Sequence, residues 1–367
     1  MKYIICGPAI SEKMEKCLDG VSPAAGRFLN NLVKGLKYNQ VEVEKHVYIA
    51  SPVLDKYVLE QIKNEEKEYY TFKDRYILPS VLRYQKQLMN NVRRGDVVIF
   101  YNMFYAYYGL AKRLKKHGVK PILLFADYTE AKDEKSKIRK MYASISAKEF
   151  KQFDYVISLA NSNKKYWSQN VKVMIMRGGI NFEFFKNITE PRFDKTIRVM
   201  YAGLLSEVTG VDTLLNSIAK VRNKNVEFYI SGKGPLENQV IEASKSDDRL
   251  HYLGFLDENE YFKKLNEMNI FVNPRNMLLG ENRNNFPSKT LEYLATGRMI
   301  ISTEFSGYEE FANSMIWYNG TAEDLADTLV DTIEKYEYLY KQKYFENRNK
   351  ALEYDWNKQA KRILEFE

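Results

Sequence analysis

A chain of 367 residues exceeds what one hydrophobic core usually organises, so two domains are expected. With 45% hydrophobic and 28% charged residues, the composition is that of a globular protein rather than a disordered or fibrous one. The net charge of +8 is uneven: residues 1–180 hold 32 Lys and Arg against 18 Asp and Glu, a balance of +14, and the remainder stands at −6. Such asymmetry suggests two domains that face different partners, the basic half suiting anionic lipid or nucleic acid, or simply a lysine-rich solvated surface. No nucleic-acid recognition motif accompanies the charge, so no nucleic-acid partner is expected. The two cysteines, Cys6 and Cys17, read as reduced thiols of a cytoplasmic protein. Strand-like KYIICG opens the sequence with no signal-peptide pattern, and no run of about 18 apolar residues offers a spanning helix.

In chain order, strands are expected at 2–7, 41–51, 96–101, 121–127, 155–160 and 171–176. Helical patterns fall between them, most clearly at 24–37, 79–94 and 105–117. The strands are continuous apolar runs, as when both faces of a parallel sheet are covered. RGGINFEFF (177–185) and the polar stretch 186–196 read as a linker. The pattern then restarts with strands at 197–203, 226–232, 250–255, 270–275 and 299–304, followed by a helical tail over 322–366. The fold class is therefore α/β, with two Rossmann-like doubly wound domains facing a cleft. Their bounds are 1–180 and 181–350, with 351–367 a helix returning to the first domain. Ligands of such sheets bind outside the carboxyl ends of the strands, so the loops after strands are where chemistry is sought.

The densest such loop is NNFPSKTLEYLATG (284–297). Pro287 suits a first helical turn, Asn284, Asn285 or Ser288 can cap it, and Gly297 suits its end. The first-turn N–H groups and the helix dipole attract an anion. Glu292 lies one turn below Ser288 on the same face and leans toward that end. Its carboxylate repels phosphate but accepts bonds from two vicinal hydroxyls; a nucleotide offers both a diphosphate and a ribose diol. The alternative is a surface glutamate paired with a lysine. ISGKGPLENQV (230–240) places Gly232, Lys233 and Gly234 in a strand-to-helix loop. YAGLLSEVTGVDTLL (201–215) puts a small-residue loop at the same place in the preceding unit, beginning at Gly203. GVSPAAGRF (20–28) repeats the arrangement after the first strand, with Ser22, Gly26 and Arg27 as candidate contacts.

Together and in this order these segments resemble the GT-B glycosyltransferases of family 4. LHYLGFLDENEYFKKLNEMNIFVNPR and the final YDWNKQAKRILEF join them in the resemblance. FPSK with NPR looks like the bacterial surface-polysaccharide branch. The resemblance implies transfer of a sugar from a nucleotide-diphosphate sugar, expected to be a UDP-sugar, to a glycan or polyprenyl-linked acceptor. It implies no metal, no other cofactor, and retention. Glu292 then falls on the ribose ligand, and Ser288 and Lys289 fall where the backbone cradles the diphosphate, beside Phe286 and Pro287. Gly232 to Pro235 fall on the donor loop, and Phe255 and Leu256 fall where main-chain groups meet the base.

The departures are specific. Asn284 replaces the first glutamate of the family's paired-glutamate motif. Leu204 and Thr209 replace two cations that neutralise the leaving diphosphate; losing one such donor costs about 3 kcal/mol. Arg275 and Lys289 are the expected replacements, then Arg283 and Lys233, and no local acid partner for Arg275 is evident. The family's active-site histidine aligns near Ala126, so Asp127 becomes the candidate weak base or hydroxyl ligand. His46, His117 and His251 have no motif context, and DDR (247–249) is read as a turn rather than a metal triplet. The region 78–94, with apolar residues on one side and Arg83, Lys86, Arg93 and Arg94 elsewhere, is read as a core helix or a membrane-surface helix. The expectation is a cytoplasmic enzyme, peripheral at the inner face of the membrane. The rivals are a non-catalytic partner of a transferase and a nucleotide-sugar epimerase.

Overall fold

The computed structural model describes residues 1–21, 23–65, 68–126, 128–134, 136–190, 195–279, 282 and 286–366. They form two compact units, one of Met1–Gly179 together with the stretch from Trp356 on, the other of Ile180–Asp355.

The first unit holds a seven-stranded parallel sheet in the order β3-β2-β1-β4-β5-β6-β7. Its strands are β1 (Lys2–Cys6), β2 (Glu42–Ile49), β3 (Tyr69–Phe72), β4 (Val97–Tyr101), β5 (Lys120–Phe125), β6 (Tyr155–Ser158) and β7 (Lys172–Ile175). The helices between them are α1 (Glu12–Lys16), α2 (Pro23–Tyr38), α3 (Lys56–Glu65), α4 (Ile77–Asn91), α5 (Leu110–Lys116) and α6 (Lys137–Phe150). The central strands β1, β4 and β5 are buried along nearly their whole length, which is why they read as unbroken apolar runs. Strand β3, YYTF, is an addition to the expected set: a four-residue edge strand whose tyrosines stay half-buried and so lack that pattern. The expected helix over 105–117 is broken. A single 3₁₀ turn at Tyr105–Tyr107 precedes α5, and Gly109 stands between them at φ +75°, a conformation that ends helical geometry. Helix α4 buries Ser80, Val81, Tyr84 and Leu88, so it is a core helix, although Leu78 and Leu82 remain exposed.

The second unit repeats the plan with a six-stranded parallel sheet, β10-β9-β8-β11-β12-β13. Its strands are β8 (Ile197–Ala202), β9 (Val226–Ser231), β10 (Leu250–Tyr252), β11 (Ile270–Asn273), β12 (Met299–Thr303) and the short edge strand β13 (Ile316–Tyr318). Helices α7 (Val211–Ile218), α8 (Glu237–Ser246), α9 (Glu258–Glu267), α10 (Lys289–Thr296), α11 (Ala322–Glu334) and α12 (Tyr336–Leu352) complete it. The helical tail is thus three helices, α11 and α12 being followed by one more. The last, α13 (Trp356–Glu365), belongs to the first unit and packs on α2. There the Trp356 and Phe28 rings meet edge to face at 4.9 Å, and Asn39 Nδ2 donates to the Asn357 carbonyl at 3.0 Å. The return starts at Trp356 rather than at 351, because Tyr354 is buried in the second unit against Phe311 and donates to Glu310.

In each sheet the strand order reverses once, between β1 and β4 and between β8 and β11. Those two switch points are where open α/β sheets leave a crevice at the carboxyl ends of the strands.

Candidate functional site

At the second switch point four loops are laced together through their backbones. After β8, the Leu205 N–H donates to the Lys233 carbonyl at 2.9 Å, and the Leu236 N–H returns a bond to the Leu205 carbonyl at 2.9 Å. After β9, the Gly232 N–H donates to the Gly254 carbonyl at 2.8 Å, tying in the loop after β10. Such proximity leaves no room for side chains. A Cβ at Gly232, where φ is +143°, would lie 1.8 Å from the Gly203 carbonyl oxygen. A Cβ at Gly210, where φ is +74°, would lie 1.7 Å from the Pro274 carbonyl oxygen, joining the loops after β8 and β11. Glycine at these positions is a packing requirement of the rim.

Leu204 and Thr209 hold the first of these loops from within. The Thr209 hydroxyl donates to the Leu204 carbonyl at 2.5 Å, and the Tyr201 hydroxyl donates to the same oxygen at 2.7 Å. Burial pushes the Tyr201 phenol up to about 12; its bond with Thr209 and the nearby Arg275 cation oppose that rise. Neither Leu204, 56% exposed, nor Thr209 brings charge to the rim.

Arg275, half-buried, follows β11. Its Nη1 donates to a neutral group, Asn282 Oδ1, at 3.1 Å. Asn282 is fully buried and spends its amide on the Val208 and Asn276 carbonyls, both at 2.7 Å. One side chain thus orients the guanidinium and ties the loop after β8 to the loop after β11.

Helix α10 starts differently from expectation. Ser288 sits at its N-terminus with helical dihedrals and makes no side-chain capping bond. The Pro287 carbonyl instead accepts from the Thr290 N–H at 2.9 Å and the Thr290 hydroxyl at 2.6 Å. Gly297 closes the helix at φ +72°, as expected. Along α10, Leu291, Tyr293, Leu294 and Ala295 are buried, and Tyr293 stacks on Phe271 with ring centroids 4.3 Å apart. Glu292 alone is half-buried among them. It accepts a 2.6 Å bond from the Tyr261 hydroxyl, and Lys289 Nζ lies 4.2 Å from the centroid of that same ring. Tyr261, on α9, was not singled out in the sequence; its contact spans 31 residues. Asn282 was missed as well, for its role depends on the loops after β8 and β11 meeting.

Lys233 is exposed and lies 6.0 Å from the ring centroid of Phe255, itself 64% exposed, with Leu256 half-buried beside it. Phe286 is buried against Phe305 and Phe311 and Pro287 is buried too, so these two build the rim rather than line it. Gly26 is buried within α2, while Arg27 is exposed, its charge opposing the rise that burial gives the Glu15 carboxyl. Ser22, Asp127, Arg283, Asn284 and Asn285 lie outside the described residues. The 247–249 turn is structural: Arg249 Nη2 pairs with Asp247 Oδ2 at 2.6 Å and Nη1 donates to the Val221 and Asn223 carbonyls. Among the described residues no group of three His, Cys, Asp or Glu could hold a metal ion, and no helix is long and apolar enough to cross a membrane.

Comparison with known proteins agrees with this layout. Residues 196–335 match the family described as glycosyl transferases group 1. The amylovoran biosynthesis glycosyltransferase AmsK of Erwinia amylovora is 26% identical over 168 residues, covering 43% of this chain; the chain spans only 41% of that relative's length. Among solved structures, Anabaena HepE in complex with UDP superposes with a TM-score of 0.73 at 11% identity, covering 100% of this chain and 99% of that one. A glycosyltransferase from Rickettsia africae gives 0.71 at 15% identity, covering 99% and 97%. The lipopolysaccharide outer core galactosyltransferase WaaB gives 0.67 at 15% identity, covering 100% and 99%. Residues 196–335 are thus similar to the group 1 glycosyl transferases, and the chain shares the two-sheet fold of these solved structures.

Proposed function

We propose that this chain is a GT-B glycosyltransferase that moves a sugar from a UDP-sugar to a glycan or polyprenyl-linked acceptor in bacterial surface polysaccharide synthesis. The observation that carries the reading is the second switch point. There a carboxylate, Glu292, is held by Tyr261 one turn below the start of α10, and Arg275 is held by Asn282 on the adjoining loop. A carboxylate suits a ribose diol, and the planar fork of a guanidinium suits a diphosphate. Neighbours of the same fold hold UDP or UDP-glucose, and AmsK serves amylovoran biosynthesis, which supports this donor and this process.

In the proposed reaction an acceptor hydroxyl oxygen bonds to the anomeric carbon as the bond from that carbon to the diphosphate breaks. For a retaining enzyme the attack comes from the leaving-group face, and the departing phosphate oxygen takes the acceptor proton. Arg275 and Lys289 stabilise the charge that grows on the diphosphate. No protein nucleophile and no metal ion enter this scheme.

The basic first unit is proposed to meet the acceptor and an anionic membrane face. Residues 75–79 and 136–142, at the starts of α4 and α6, are exposed without exception and include Arg75, Ile77, Leu78, Lys137, Ile138 and Met141. Cosedimentation with phosphatidylglycerol vesicles tests this; equal recovery with and without vesicles would remove it.

One observation favours the rival reading of a non-catalytic partner. Leu204 and Thr209, where the family places cations, serve only to close their own loop. Turnover decides: the purified chain, in EDTA, is expected to release UDP from one of a panel of UDP-hexoses when a glycan acceptor is supplied. Binding of UDP without release from any donor would favour the rival.

A further inference from the structure

At the amino ends of the first sheet, the turns that lead into β4, β5, β6 and β7 lie side by side. The Gly95 N–H donates to the Gly118 carbonyl at 2.9 Å, and the Lys120 N–H donates to the Asp96 carbonyl at 2.9 Å. The Lys172 N–H donates to the Asp154 carbonyl at 2.8 Å. The four strands are neighbours in the sheet, about 4.8 Å apart, so the row of turns runs over roughly 14 Å. Cations occupy it from end to end. Arg93 and Arg94 stand before β4, Lys116 before β5 and Lys120 at its start, Lys151 before β6, and Lys172 at the start of β7. All but Lys120 are exposed.

The carboxylates of these turns are already engaged. Asp96 is buried and accepts from the Lys2 N–H at 3.0 Å and from the Arg93 N–H at 2.8 Å. Asp154 pairs with Lys115 Nζ at 2.6 Å. Three of the cations are placed by packing. Lys120 Nζ and Lys172 Nζ both lie over the Tyr155 ring, 5.0 and 5.2 Å from its centroid, and Phe366 meets that ring edge to face at 5.9 Å. The Arg94 stem lies across Gly118, where a Cβ would come within 2.9 Å of Arg94 Cγ. No exposed large hydrophobic side chain falls within 92–96, 115–120, 151–155 or 168–172, so the row offers no apolar anchor to a bilayer.

We infer that this row is a holding site for an acidic glycan, a polymer that carries a carboxylate on successive sugars, at the edge of the first sheet opposite its carboxyl ends. This rests on the glycosyltransferase reading above, which brings a polysaccharide within reach. One exposed lysine holds one carboxylate weakly, because water and salt screen the pair. A row of cations holds a polymer of repeated charge far better, since each contact after the first is intramolecular. A nucleic acid asks for more than charge. A single strand needs open aromatic faces on which bases stack, and a duplex needs an element that enters a groove. Here the Tyr155 ring is taken by lysines, and a row of turns enters no groove.

The test titrates polygalacturonate, and neutral dextran of matched length, into the full chain at about 20 mM and about 300 mM NaCl. At low salt polygalacturonate is expected to bind ten-fold or more tightly than dextran, and at the higher salt to lose ten-fold or more of that affinity. Lys120→Glu with Lys172→Glu, and separately Arg94→Glu with Lys116→Glu, are each expected to weaken it ten-fold or more. Arg94 and Lys116 are both exposed, so the second pair carries the test if the first lowers the melting temperature. Equal affinity for the two polymers, or a polygalacturonate affinity that survives both double variants, overturns the proposal. A single-stranded DNA oligomer of equal charge that binds ten-fold more tightly than polygalacturonate also overturns it, and makes the row a nucleic-acid site. UDP titration of the same samples separates the two claims. A chain that binds polygalacturonate as expected but no uridine nucleotide keeps the row and loses the transferase reading. The reverse pattern loses the row alone.

Discussion

The Tyr261 hydroxyl donates a 2.6 Å hydrogen bond to Glu292 Oε2, and the same ring carries Lys289 Nζ 4.2 Å from its centroid. One tyrosine of α9 thus orients both the carboxylate and the cation at the start of α10. A carboxylate has about four acceptor sites, so the bond fixes its position without exhausting it. Tyr261→Phe keeps the ring and removes the bond. UDP affinity is expected to fall about 5- to 10-fold, the worth of one ordinary hydrogen bond of roughly 1–1.4 kcal/mol, since the bond positions the carboxylate rather than touching the ligand. Calorimetry on the variant reads this directly; an unchanged Kd would make Tyr261 a packing residue only.

Arg275→Lys tests the pairing with Asn282. Lysine keeps the charge but not the fixed planar fork that meets the Asn282 amide on one side and, in the proposed function, a diphosphate on the other. Turnover is expected to fall about 10-fold or more with Kd for UDP changed less, because the guanidinium acts where charge grows. An equal loss in both quantities would point to a ground-state contact.

The rim's close backbone approach has a stability consequence. Gly210→Ala brings a Cβ into the Pro274 carbonyl in addition to the strain of positive φ. Gly95→Ala carries only the strain, since nothing lies within 4 Å of its Cβ at φ +90°. The first is expected to cost more than about 3 kcal/mol and the second about 1–2 kcal/mol. Urea unfolding of the two variants checks the order; equal midpoints would contradict it.

How much of this was legible follows from distance along the chain. The buried parallel strands, the loops after them and the helix 289–296 announce themselves locally, through apolar runs, glycines and a proline. Edge strands β3 and β13 do not, because half-buried tyrosines and a three-residue segment carry no such run. The break at Gly109 depended on the sign of one dihedral. At the site, Glu292 stood out as a carboxylate in the first turns of a helix and Arg275 as a charge in a loop after a strand. Their partners did not: Tyr261 reaches across 31 residues, and Asn282 acts through Val208, 74 residues away. The cap at Ser288 failed because Pro287 already supplies the carbonyl that starts the helix.

His46, assigned no role in the sequence, is a buried base in β2. Burial holds its pKa down at about 4; Glu44 pulls it up and Lys2 pushes it down. Its ring stacks on Tyr69 at 4.3 Å and its Nε2 lies 2.8 Å from Asn91 Nδ2. The unfolded chain takes up that proton near pH 6.5, the folded chain only near 4, so between these values the unfolded state binds more protons. Stability from this group is therefore full above about pH 6.5 and is lost as pH falls toward 4, by roughly 3 kcal/mol. His46→Gln should flatten the difference between urea midpoints at pH 7 and pH 5. A variant that keeps the wild-type difference would assign the pH dependence elsewhere.

The central claim is that Glu292 belongs to a nucleotide site at the carboxyl end of the second sheet. Calorimetric titration of the purified chain and of Glu292→Ala with UDP, in EDTA and with GDP as comparison, tests it most directly. The account predicts saturable UDP binding to the wild-type chain, weaker binding of GDP, and a loss of about 2–3 kcal/mol in the variant. UDP binding of equal strength to the wild-type chain and to Glu292→Ala would contradict it.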